Sequence, residues 1–272
     1  MRMESNWQES GAKLSRRLML AGLAAPALAA CAARPAEQSA AHNSQGLDAV
    51  IDISNNVQVS DFRAVRKSNI LAVIHKATEG GDWVDPAYAQ RRSQALSAGL
   101  LWGAYHFGTR QYSGADQAAA FLSTCQPGPG TLMALDLEPN DPKPKNSMTM
   151  AQAEAFVVAV QRATGRWPLL YTHASYADGQ RYGRRNISLG QPITSGSPLS
   201  KCDLWLADYR DEPSLPSAWA GRGWRLWQYA GDHSAADAAY GTPSRIVHGL
   251  THCDRNLFAG NEVALYKYWK AT

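Results

Sequence analysis

The segment Thr131-Leu132-Met133-Ala134-Leu135-Asp136-Leu137-Glu138-Pro139-Asn140 runs a mostly apolar stretch into two carboxylates. It reads as a buried strand. Side chains alternate along a strand, so positions 136 and 138 share a face while Leu137 points away. Two acids on one face at a strand's end would stand at the mouth of a parallel barrel, where such folds keep their active sites. An Asp-x-Glu triplet is expected by chance about once in a chain of this length. Position therefore carries more weight than the motif. Unpaired buried charge is costly, and a strand's end has no cheap structural use for two acids.

Working outward, short apolar runs alternate with helix-like segments. Ala49 to Ile53 reads as a strand, Ser60 as the N-cap of a helix that turns Phe62 and Val65 inward, and Leu71 to His75 as a second strand. Asp85-Pro86 opens a helix that Gly99 closes. Leu100 to Phe107 is a strand and Ser113 to Thr124 a helix. Thr149-x-x-Gln152 is a capping box for a helix ending at Gly165, and Leu169 to Thr172 is another strand. This alternation implies parallel strands joined by crossover helices. Beyond about position 200 the helices fade. Asp203 to Ala207, Trp224 to Tyr229 and a stretch leading to Asp254 read as strands joined by loops. The fold class is therefore α/β, an irregular TIM-like β/α barrel with a strand-rich C-terminal part. No Gly-x-Gly-x-x-Gly follows a strand, so a dinucleotide fold has no support.

The N-terminus reads as an address. Lys13, Arg16 and Arg17 precede an apolar, Ala-rich run from Leu18 to Ala30, too short to span a bilayer as a helix. Ser15-Arg16-Arg17-Leu18 resembles a twin-arginine export signal, and Leu28-Ala29-Ala30-Cys31 resembles a lipobox whose cysteine receives lipid. The expected organisation is a signal peptide over 1–31, a flexible tether over 32–46, and one catalytic barrel domain over 47–272. The product would be exported and held to the bacterial cell envelope through lipid on Cys31. The net charge of +4 is scattered and does not argue for nucleic acid. Cys125, Cys202 and Cys253 remain, and in an oxidising compartment two could pair. Their spacings, and those of the histidines, lack a metal-site pattern, so neither a metal nor a cofactor is expected.

The acids suggest hydrolysis. Close like charges backed by an apolar strand should raise the pKa of one of them, and a carboxyl that keeps its proton near neutral pH can protonate a leaving oxygen. Glycoside hydrolysis needs that acid and a second carboxylate. Asp52, inside the first strand, and Asp254 are further candidates. Either could instead have a structural use, Asp52 capping a loop and Asp254 pairing with an arginine. Aromatic residues gather near the expected strand ends, among them Tyr105, Tyr171, Trp205, Tyr209 and Tyr229. Aromatic faces stack on sugars, and they also fill cores.

From Leu47 to Trp269 the chain resembles glycoside hydrolase family 25, the cell-wall muramidases. The matching segments run in the family's order: Val50-Ile-Asp52-Ile-Ser54, Lys76-Ala-Thr-Glu79-Gly80, Gly103-Ala-Tyr105-His106-Phe107, Leu135-Asp136-Leu-Glu138, Leu170-Tyr171-Thr172, Leu204-Trp205-Leu-Ala207, Leu226-Trp227-Gln228-Tyr229 and Cys253-Asp254-Arg-Asn256-Leu-Phe258. The resemblance implies cleavage of the β-1,4 bond between N-acetylmuramic acid and N-acetylglucosamine in peptidoglycan. It implies Glu138 as general acid, Asp136 orienting the substrate's 2-acetamido group with net retention, and Asp52 and Asp254 as flanking acids. Lys76, Glu79, Tyr105, Tyr171, Trp205 and Gln228 are implied as substrate-binding residues. The rival reading is a peptidoglycan-binding lipoprotein of the same fold that does not cut. A peptidase lacks the metal spacing or Cys/His and Ser/His motifs it would need.

Overall fold

The structure is a computed structural model that describes residues 46–231 and 246–272. The expected signal peptide, Cys31 and all of the tether but Gly46 lie outside the described residues. The strands are β1 (Leu47–Ile53), β2 (Ala72–Glu79), β3 (Trp83–Val84), β4 (Leu101–Phe107), β5 (Thr131–Asp136), β6 (Leu169–His173), β7 (Leu204–Ala207), β8 (Leu226–Ala230) and β9 (Asp254–Phe258). Their order is β1-β9-β8-β7-β6-β5-β4-β2-β3, and β1 also pairs with β2, so eight strands close into a barrel with β3 attached outside the ring. Pairing is parallel from β1 through β2, β4, β5, β6 and β7 to β8. β9 is antiparallel to both β8 and β1 and closes the ring between them.

Strand alternation separates two apolar layers. Val50, Ile74, Leu132, Ala134, Trp205 and Leu226 share one buried cluster, the barrel interior. Ile51, Val73, Met133, Leu135, Leu206 and Trp227, one residue out of phase, belong to a second cluster with the helices. Gly103 keeps the interior from overfilling. A Cβ there would lie 3.1 Å from Ile74 Cγ1 and 3.3 Å from Leu132 Cδ2.

The helices are α1 (Phe62–Lys67), α2 (Tyr88–Ser97), α3 (Gly114–Cys125), α4 (Met150–Thr164), α5 (Ala174–Ala177) and α6 (Glu262–Ala271). The capping box of Thr149 and Gln152 forms at the start of α4, and Gly165 ends that helix in a left-handed conformation, φ 74°. Asp61 rather than Ser60 caps α1; the Ser60 hydroxyl donates to the Gly249 carbonyl instead. Asp85 caps the turn before α2, accepting from the Ala87 amide at 2.9 Å. The last strand also differs from expectation. It begins at Asp254 and runs away from it. A helix, α6, then follows in the part of the chain expected to be strands and loops. Leu265 and Trp269 of α6 join the interior cluster, and the Trp269 indole donates to the Trp102 carbonyl at 2.9 Å. The Gly130 amide reaches the Thr272 carbonyl just before β5 starts. α6 thus closes the end of the barrel where the parallel strands begin, leaving the other end as the mouth.

Cys125, Cys202 and Cys253 are all free thiols, so the pairing considered from sequence is not present. Burial pushes the Cys125 thiol up to about 12. Among the described residues no helix is long and apolar enough to cross a membrane.

Removing the plug tests this account. Trp269→Ala should cost about 3–5 kcal/mol, the usual loss for a buried large aromatic, read from denaturant unfolding. Val263→Ala, on the exposed face of the same helix, should stay within about 0.5 kcal/mol.

Candidate active site

The mouth is polar because the inward-facing phase of each strand switches from apolar to charged residues at that end. On β1 the inward residues are Val50 and then Asp52. On β5 they are Leu132, Ala134 and then Asp136, with Glu138 next in phase. Because β9 is antiparallel, its first residue, Asp254, reaches the mouth directly beside Asp52. The structure therefore brings all four sequence-nominated acids to one end of the barrel. The Tyr105 hydroxyl is held well above its ordinary range by burial and then by Asp136, Asp52, Asp254 and Glu138.

Asp52 is the most elaborately held. Both of its oxygens accept from Gln228 Nε2, at 3.1 and 3.0 Å, and Oδ2 accepts from Asn256 Nδ2 at 2.7 Å. Each amide is fixed in turn by a donor behind it. The Trp205 indole N–H donates to Asn256 Oδ1 at 2.6 Å, and an indole has nothing to accept with. The Tyr171 and Tyr209 hydroxyls both donate to Gln228 Oε1 at 2.8 Å. Burial raises the Asp52 pKa to about 6, against the opposing effect of these hydrogen bonds.

Asp136 has the opposite environment. It is buried, and its Oδ1 has no hydrogen-bond partner. Burial and then the charge of Glu138 hold its pKa well above the usual carboxylate range; Lys76 opposes them. Glu138 is more open, its side chain 31% exposed, with Oε2 3.7 Å from His173 Nε2.

Lys76 Nζ donates to Glu79 Oε2 at 2.6 Å and sits 5.0 Å from the Trp83 ring and 4.9 Å from that of Phe107. Both Lys76 and Glu79 act on Asp136 electrostatically. Trp205, expected to bind substrate, is 2% exposed and fills the interior. Tyr171 and Gln228 are likewise buried, so these three support the carboxylates from beneath. Next to the cluster lies a groove of about 470 Å³ lined by His173, Tyr182, Asp208, Tyr209 and Arg210 among others. Sequence reasoning passed over Asn256 and His173. Both sit two residues from a nominated position, Asp254 and Tyr171, and therefore on the same strand face. Among the described residues no group of three or more His, Cys, Asp and Glu is arranged to hold a metal ion.

The profile of glycosyl hydrolases family 25 matches residues 51–238. The Escherichia coli protein YegX is 26% identical over 197 residues, which cover 70% of this chain and 65% of YegX, just under two thirds of that relative's length. An N,O-diacetylmuramidase of Arthroderma benhamiae is 28% identical over 246 residues, covering 86% of this chain and 94% of that protein. Among solved structures, a bacterial lysozyme from Streptomyces coelicolor superposes with a TM-score of 0.65 at 26% identity, covering 83% of this chain and 97% of its own. A family 25 lysozyme from Aspergillus fumigatus gives 0.60 at 28% identity, with 82% and 97% covered. With the family profile spanning most of the barrel that carries the four acids, the chain belongs to glycosyl hydrolases family 25.

Proposed function

We propose that the protein is a muramidase that hydrolyses the β-1,4 bond between N-acetylmuramic acid and N-acetylglucosamine in peptidoglycan. The observation that carries this reading is the contrast between the acid that ends β5 and the one two residues beyond it: a buried Asp136 with an unpartnered oxygen, and a more open Glu138. Relatives named as muramidase and lysozyme support the substrate class.

In this reading Glu138 donates its proton to the oxygen that leaves as the C1–O bond breaks. The substrate's 2-acetamido carbonyl oxygen forms the new bond to C1, while its N–H is held by the free Oδ1 of Asp136. Water then attacks C1 from the vacated side. Its proton returns to Glu138, the C1–acetamido bond breaks, and configuration is retained overall. Asp52 and Asp254 flank the cationic sugar. Their negative charge favours the transition state, and the Gln228 and Asn256 amides keep Asp52 from swinging into the space the sugar needs. Lys76, Glu79, Tyr105, Tyr171, Trp205 and Gln228 bind substrate or hold the groups that do.

The sequence supports export and a lipid anchor on Cys31, through the basic run, apolar core and cysteine in that order. The mature domain over 47–272 would then work on wall glycan at the cell envelope.

Digestion of purified peptidoglycan should produce new reducing ends of muramic acid; glucosamine ends would contradict the muramidase assignment, and binding without new ends would make the protein a glycan holder. Glu138→Gln should lower turnover by about 10²–10⁴-fold with an unchanged melting curve. Asp136→Asn should also be severely impaired, yet more stable than wild type at pH 7. A carboxyl that holds its proton more tightly when folded stabilises the fold below its unfolded pKa, near 4, and loses that stability as pH rises through the folded value. Asparagine removes this loss, so the gain in melting temperature should shrink as pH falls toward about 4. Cys31→Ser should move the protein from the membrane fraction to the soluble fraction of cells.

A further inference from the structure

His173, the last residue of β6, is buried and its ring is fixed on every side. Nδ1 lies 3.1 Å from the Ala207 carbonyl. A carbonyl only accepts, so Nδ1 carries the hydrogen. One face of the ring stacks on Tyr182, centroids 4.0 Å apart at 26°, and Tyr171 meets it edge-on at 6.1 Å. With Nδ1 committed, Nε2 of the neutral ring is an acceptor, and it points at Glu138 Oε2 from 3.7 Å, just beyond hydrogen-bond range. Contacts of this kind commonly tighten when substrate binds.

We infer that His173 is a positioning residue for Glu138: its Nε2 holds the carboxyl toward the mouth and favours the form that carries the proton. The inference rests on the muramidase reading, in which Glu138 is the donor. An acceptor facing a carboxyl is satisfied by the O–H of the neutral acid and meets only lone pairs when the proton has gone. The protonated state needed at the start of the reaction is thereby supported by a ring that itself gains and loses nothing over the cycle. The proton leaves Glu138 for the leaving oxygen and returns to it from water. Glu138 faces Asp136, Asp52, Tyr105, Tyr171 and Tyr176 as well, and near the ring stand Tyr171 on its own strand, Tyr182 from the segment after α5, and Tyr209 and Asp208 after β7, the last paired by Arg210 at 2.6 Å. Burial, and then Glu138, push the Tyr182 hydroxyl up to about 12, so it stays neutral near pH 7.

His173→Asn keeps a donor in place of Nδ1–H and deletes Nε2; His173→Phe keeps the stack on Tyr182 and deletes both nitrogens. In each, the alkaline limb of kcat/KM on peptidoglycan should move down by about one pH unit. Activity at pH 7 should fall about tenfold, mostly in kcat, and recover at lower pH. An unmoved alkaline limb in a folded variant overturns the inference, because packing alone leaves the limb where it is. Failure of the wild type to release muramic acid ends would instead sink the muramidase reading.

Discussion

A carboxyl inside a barrel ionises readily only if donors reach it there, and Asp52 is where this protein meets that constraint. Two amides, from β8 and β9, turn their nitrogens toward it because an indole and two phenols occupy their oxygens. Amide orientation is thus dictated by residues with no choice of role. Trp205 cannot accept, so Asn256 must present its oxygen to it and its nitrogen to Asp52. The network links β1, β6, β7, β8 and β9 at the mouth. It makes this end of the barrel rigid, though an apolar interior would stabilise it more cheaply.

The barrel divides its labour along its axis. One end is plugged by Leu265 and Trp269 and is apolar; the other accumulates carboxylates with little compensating positive charge. Asp52 is satisfied, Asp136 is left with a free oxygen, and Glu138 is partly open. Three acids of similar chemistry are differentiated by what surrounds them. This follows the general rule that separated environments assign separate roles to titratable pairs.

Much of this was legible in the sequence. The β/α alternation and the two acids closing β5 gave the barrel and its mouth, because a period of two and an abrupt change from apolar to acidic are local signals. The α4 boundaries were legible for the same reason, with a capping box at one end and a glycine at the other. Other features depended on long-range pairing. Nothing near Asp254 announces that its strand runs antiparallel, which is what brings its first residue to the mouth. α6 was missed: its apolar residues pack on strands more than a hundred positions earlier. Trp205 and Tyr171 were nominated as substrate-binding residues through the family resemblance, and an aromatic at a strand end has two uses. Only burial separates a ring that faces a ligand from one that holds an amide.

The hydrogen bond between Asp52 and Asn256 joins residues 204 positions apart, across nearly the whole folded domain. Its consequence concerns assembly over time. Long loops must close before such contacts bring any reward, so the pocket forms late in folding. A chain arrested on the ribosome before its ninth strand emerges has Asp136 and Glu138 in hand but lacks the Asn256 donor and the Asp254 neighbour of the first-strand carboxylate. An enzyme built this way keeps its cutting edge unfinished until synthesis is nearly complete.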